Sequence, residues 1–200
     1  MTLYDIKPRF QSLLRPLVKR LDTAGLTANQ TTLAAMFGSI AVGVLISIYS
    51  DNLKVFLLLP VWMFLRMALN AIDGMLAREC QQKSDLGAFL NEISDLISDA
   101  ALFIPFAFIS PFTPAQVALI IFLALLSEFA GVLGQALGAS RRYDGPMGKS
   151  DRALFFGALA LWIGMGGNLP AVLYWLLPAV AVLLGLTIFN RVRRALSELN

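Results

Sequence analysis

Six apolar runs, near residues 31–50, 54–77, 86–109, 115–138, 152–168 and 170–189, follow one another with very little chain left over. Each approaches the roughly 20 residues that a helix needs to cross a bilayer. With 58% hydrophobic and 14% charged residues and a mean hydropathy of +0.71, the chain is too apolar for an ordinary soluble domain. The expected fold is all-α and integral to the membrane. It is a single domain over residues 1–200, with a six-transmembrane-helix bundle at 30–190 and a cytoplasmic tail at 191–200.

Residues 3–20 interleave Leu, Ile, Phe and Val with Lys7, Arg9, Arg15, Lys19 and Arg20. That pattern predicts an amphipathic juxtamembrane helix on the inner leaflet within residues 1–29, against which Pro8 and Pro16 count. No apolar centre with a small-residue cleavage site marks a secretory signal here. Cytoplasmic loops retain Lys and Arg. These five precede the first run, Arg78 and Lys83 follow the second, Arg141, Arg142, Lys149 and Arg152 follow the fourth, and Arg191, Arg193 and Arg194 follow the sixth. Both termini are therefore expected in the cytoplasm, as in a bacterial inner membrane. Topology alone accounts for the net charge of +3, so no nucleic-acid partner is expected. Cys80, the only cysteine, excludes an intrachain disulfide and reads as a tolerated small side chain.

Ionisable residues inside a span are costly and mark functional sites by default. Arg66, Asn70, Asp73 and Ala77 recur at spacings of four, three and four in the second run, and Gly87, Asn91, Asp95 and Asp99 recur every four in the third, with Glu92 nearby. Each set lies on one helical face. Residues 78–85 are so short a connection that the two helices should be antiparallel neighbours with facing stripes. Carboxylates and Asn carbonyls offer only oxygen ligands, which suits Mg2+ or Mn2+. Because the chain has no His, a general base must be a carboxylate or a perturbed Lys, Tyr or Cys. The plainer alternative is internal pairing, for example of Arg66 with Asp73 or Glu128.

The residues Asn70, Asp73, Gly74, Ala77, Arg78, Gly87, Asn91 and Asp95 resemble the CDP-alcohol phosphatidyltransferase pattern D-x2-D-G-x2-A-R-x8-G-x3-D-x3-D, matching six of its eight positions. LTANQTTL at 26–33, which contains Asn29, is similar to the family's T-P-N segment, with Ala28 in place of Pro. Gly148 and Lys149 resemble a Gly-Lys pair before its fifth span. The resemblance implies a six-helix enzyme, usually a homodimer, that moves a phosphatidyl group from a CDP-alcohol such as CDP-diacylglycerol to an acceptor alcohol and releases CMP. It implies metal ligation by Asp73, Asn70, Asn91 and Asp95, with Asp95 as the catalytic base. It further implies nucleotide binding by Gly74, Ala77, Arg78, Gly87 and Asn29.

Asn stands where that family has its first and third Asp, so this chain keeps two of four motif carboxylates. Two expectations follow. Either Glu92, Asp99 or Glu128 compensates the charge, or one metal suffices, and the enzyme works. Or the chain binds a nucleotide or lipid headgroup without turnover. A small transporter is a further alternative, although its polar groups would be expected in both halves.

GPMGKS at 145–150 is too short between its first Gly and Gly-Lys to be a phosphate loop. Lys149, Arg141, Arg142 and Arg152 are candidates for binding an acceptor or its phosphate, and topology-setting charge is the competing explanation. Gly131, Gly134 and Gly138 have small-residue spacing that suits helix packing.

Overall fold

The computed structural model describes residues 3–199, with side chains from Phe10 onward, and all regular structure among them is helical. Seven α-helices follow in order: α1 (Leu3–Thr23), α2 (Ala28–Ile48), α3 (Leu58–Glu79), α4 (Asp85–Phe103), α5 (Pro114–Ala136), α6 (Lys149–Gly164) and α7 (Leu176–Leu199). Short 3-10 turns at Leu53–Leu57 and Ala171–Trp175 lead into α3 and α7, and one at Ile104–Phe108 follows α4.

Local chemistry explains several boundaries. Thr27 and Gln30 cap α2 reciprocally, since Gln30 N–H donates to Thr27 Oγ1 at 3.2 Å and Thr27 N–H donates to Gln30 Oε1 at 2.9 Å. The helix consequently begins ahead of the apolar run. Thr113 and Gln116 form the same box at α5, with Pro114 at its first turn. The sixth run was expected to end at 189, but α7 continues to Leu199. No Gly or Pro follows Gly185, and Arg191 and Ala195 extend the buried face of Val180, Leu184 and Thr187. The expected tail is thus helical as far as it is described. Helix α1 likewise runs through Pro8 and Pro16.

Four segments are long and apolar enough to cross a membrane: Ala28–Ile48, Leu53–Glu79, Pro114–Ala136 and Ala171–Leu199. They make the chain a multi-pass membrane protein. Helix α4 is set apart by Asp85, Glu92, Asp95 and Asp99, and α6 by having only 16 residues. Large apolar side chains such as Val61, Phe64, Phe122, Phe129, Val182 and Phe189 lie exposed, as a lipid-facing surface requires.

The chain divides into two compact units, one running to Val42 and including Val61–Asp99, the other comprising Gly43–Pro60 and the chain from Ala100 onward. In the first unit Val18 of α1 packs with Ala28, Ile72, Met75 and Leu76, flanked by Leu14, Leu21, Ala77 and Cys80. Gly38 lets the Trp62 ring lie against α2, where the indole N–H donates to Ser39 Oγ at 2.9 Å. In the second unit Phe103 stacks on Phe156 with ring centres 4.1 Å apart, and Phe106 packs beside Phe56, Phe112 and Phe156. Between α5 and α7, a Cβ added at Gly134 would sit 3.1 Å from the Ala195 methyl. Lipid tails are as apolar as Leu, so such close backbone packing and internal polar contacts, rather than expulsion of water, hold spans together.

Candidate functional site

Hydrogen bonds join the two polar stripes directly. Arg66, 6% exposed on α3, donates from one terminal nitrogen to Asp99 Oδ1 at 2.6 Å and from the other to Asp95 Oδ1 at 2.9 Å and the Asp95 carbonyl at 3.2 Å. Asn70 Nδ2 donates to the same Asp95 Oδ1 at 3.2 Å. Residues 66 and 70 thus meet 99 and 95 in reverse order, so α3 and α4 run antiparallel. Helix α2 runs antiparallel to α3 as well, and its Thr32 hydroxyl donates to Oδ2 of the buried Asp73 at 2.8 Å.

Past Asp73 the site narrows to backbone and small side chains. The Arg78 guanidinium folds back over Gly74, where an added Cβ would lie 3.0 Å from its nearest nitrogen. The Asn29 side-chain oxygen lies so close to Gly87 that a Cβ there would come within 2.9 Å of it. A side chain at either glycine would displace the polar group beside it. Ser84 caps α4 by accepting from Gly87 N–H at 3.0 Å. Gln82, in the connection between α3 and α4, accepts from Ala28 N–H at 2.8 Å and donates to Asp22 Oδ1 at 2.8 Å. The ends of α1, α2 and α3 are therefore tied at the point where Asn29, Gly74 and Gly87 are presented. Ala77 packs against the core beneath α1, Asn91 is exposed, and Glu92 is half-buried.

The remaining candidates lie in the second unit and are held by ion pairs. Glu128 on α5 accepts from Arg152 at 3.0 Å and lies 3.3 Å from Arg191, and both guanidiniums are 1% exposed. Its carboxylate is engaged there. Arg142 donates to Asp144 at 2.9 Å and to Glu198 at 2.5 Å, while Arg194 also pairs with Asp144. Arg141 lies over the Tyr143 ring, 5.2 Å from its centre. Lys149 opens α6, whose start Asp151 secures by accepting from Gly148 N–H at 2.9 Å. The sequence reading missed Thr32, Gln82, Ser84 and the buried role of Arg191. Only Thr32 carried a usable signal, as a hydroxyl one turn beyond the T-A-N segment.

The Arg142 hydrogen bond holds the Asp144 carboxyl below its ordinary range, against the opposing effect of burial. A carboxylate depressed in the folded state contributes its stabilisation fully above its unfolded value of about 3.9 and loses it as pH falls through the folded value. The stability difference between the wild type and Asp144→Asn should therefore stay constant from about pH 8 to 5 and shrink below about pH 4. An undiminished difference in the acid range would contradict this assignment.

Among the described residues no three His, Cys, Asp or Glu side chains converge as a metal centre would. That result reflects the two amides in the motif, since the available donors are carboxylate, amide and hydroxyl oxygens. Such donors suit a hard divalent cation, with buried Asp73, oriented by Thr32, as the strongest ligand.

Residues 25–188 match the model of the CDP-alcohol phosphatidyltransferase family. The inner membrane protein YnbA of Escherichia coli (strain K12) is 48% identical over 199 residues, covering 98% of this chain and 97% of that one. An archaetidylinositol phosphate synthase of Aeropyrum pernix is 30% identical, covering 70% of this chain and 76% of the relative. A phosphatidylinositol phosphate synthase of Mycobacterium tuberculosis, solved in complex with manganese and citrate, superposes with a TM-score of 0.70 at 20% identity, over 90% of this chain and 87% of that one. The same synthase with CDP-DAG bound gives a TM-score of 0.67 at 22% identity, over 90% and 92% of the two chains. With most of its length matched by the family model and facing motif helices at the matched positions, this chain belongs to the CDP-alcohol phosphatidyltransferase family.

Proposed function

We propose that the chain transfers a phosphatidyl group from a CDP-alcohol such as CDP-diacylglycerol to the hydroxyl of an acceptor alcohol in phospholipid synthesis. The observation that carries this reading is the meeting of Asp73 with Thr32, and of Asp95 with Asn70 and Arg66, beside the glycines at 74 and 87. The acceptor oxygen attacks the phosphorus that bears the lipid alcohol. A new P–O bond forms, the pyrophosphate P–O bond breaks, CMP leaves with that electron pair, and the acceptor proton passes to Asp95. Arg66 and Asn70 fix the Asp95 carboxylate for that transfer. Arg78 and the backbone at Gly74 and Gly87 hold the nucleotide, with Asn29 beside them and Ala77 seating the helix.

Mg2+ or Mn2+ held through Asp73, with Asp95, Asn70 and Asn91 as further oxygen donors, supplies charge neutralisation on the pyrophosphate. The relative solved with manganese supports a divalent ion. Lys149, Arg141, Arg142 and Arg152 serve an acceptor that itself carries phosphate. The names of the archaetidylinositol phosphate synthases that this chain resembles support that choice.

In this reading α4 and α6 also cross the bilayer, making six spans with both termini in the cytoplasm. Helix α1 lies on the inner leaflet, and two copies of the chain pair. Purified protein, CDP-diacylglycerol, Mn2+ and a panel of phosphorylated and unphosphorylated alcohols should yield CMP and a new lipid detectable by mass spectrometry. Nucleotide binding without CMP from any acceptor would favour the non-catalytic alternative.

A further inference from the structure

We propose that Arg66 is a built-in counter-cation: its guanidinium takes the place of a second divalent ion at Asp95 and Asp99, so that the chain binds one divalent ion, at Asp73. The inference rests on the transferase reading for the identity of the site and goes beyond it in fixing the metal count and the residue that sets it.

Three observations converge. Arg66 is buried and reaches two carboxylates with separate nitrogens, at 2.6 Å to Asp99 and 2.9 Å to Asp95. A guanidinium cannot be deprotonated in a protein, so this is a permanent positive charge. It offsets the attraction that these two carboxylates would exert on a further dication.

The second observation concerns Asn70. An ionised carboxylate only accepts hydrogen bonds, so the group 3.2 Å from Asp95 Oδ1 must be the amide NH2. Asn70 therefore serves Asp95 as a donor. An Asp in its place would put a second acceptor against the same oxygen, with like-charge repulsion in a low-dielectric setting. The amide and the guanidinium are thus matched parts of one arrangement.

The third is the separation of the two remaining motif carboxylates. Asp73 is oriented from α2 by Thr32, whereas Asp95 is oriented within the α3–α4 pair by Arg66 and Asn70. The first has hydroxyl support that leaves its charge uncompensated by that contact, and the second is bonded to a cation. One carboxylate is set up for a metal and the other for a proton.

The test counts Mn2+ by electron paramagnetic resonance on purified full-length chain in detergent with CDP-diacylglycerol, without turnover. The wild type should bind one ion per chain. Asn70→Asp with Asn91→Asp should still bind one, because Arg66 remains, and adding Arg66→Gln should raise the count to two. Two ions or none on the wild type, two on the double variant, or one on a monodisperse triple variant would each overturn the proposal. If the triple variant fails to fold, the wild-type and double-variant counts decide. CMP release is scored separately, so failure of the transferase reading remains distinguishable from a wrong ion count.

Discussion

Asp95→Asn should lower CMP release by about 10²- to 10⁴-fold, the usual worth of a positioned general base. The substitution keeps the shape of the side chain and an oxygen for Arg66 to address, so the fold should survive it. The acceptor hydroxyl, however, loses the only motif carboxylate on α4. His is absent from the chain, which removes the commonest substitute base. Single-turnover CMP release should fall while CDP-diacylglycerol binding persists, since the nucleotide is held by Arg78 and the Gly74 and Gly87 backbone. If binding and turnover fell together, Asp95 would be part of the binding surface instead of the base.

The largest stability effect should come from Glu128→Ala. This carboxylate is shared by Arg152 and Arg191, both 1% exposed, and removing one partner of a buried ion pair costs about 3–5 kcal/mol. The cost arises because charges taken out of water lose the group that balances them. By contrast, the Arg15–Glu79 pair, whose side chains are 46% and 38% exposed, should contribute at most about 1 kcal/mol. Unfolding in detergent micelles would measure both. Equal effects of Glu128→Ala and Arg15→Ala would contradict the buried network.

The face-to-face stripes were legible because helical periodicity places Arg66, Asn70 and Asp73 on one side and Asn91, Asp95 and Asp99 on another. The choice of partners was not legible. Spacing alone allowed Arg66 to meet Asp73 or Glu128, whereas the packing of α3 against α4 brings it to Asp95 and Asp99. Periodicity also says nothing of which amide atom points where, so Asn70 read as a ligand, while its nitrogen faces Asp95. Arg152 and Arg191 looked like loop and tail charges because they flank apolar runs. The helices extend past those runs and carry both residues inward. Gln82 and Thr32 act through single hydrogen bonds to residues distant in sequence, 54 and 41 positions away, which composition cannot register.

The helical class and the apolar spans followed from chain length per run and hydropathy. Segment ends did not, since caps such as Thr27 and Thr113 and the 3-10 turns decide them locally.

The most direct measurement is Mn2+-dependent CMP release from CDP-diacylglycerol by the wild-type chain, run beside Asp95→Asn across phosphorylated acceptor alcohols. Release by the wild type with at least one acceptor, abolished by Asp95→Asn, is the expected result. No release by a folded wild-type chain that binds CDP-diacylglycerol, together with turnover created by Asn70→Asp and Asn91→Asp, would contradict the proposed transferase activity.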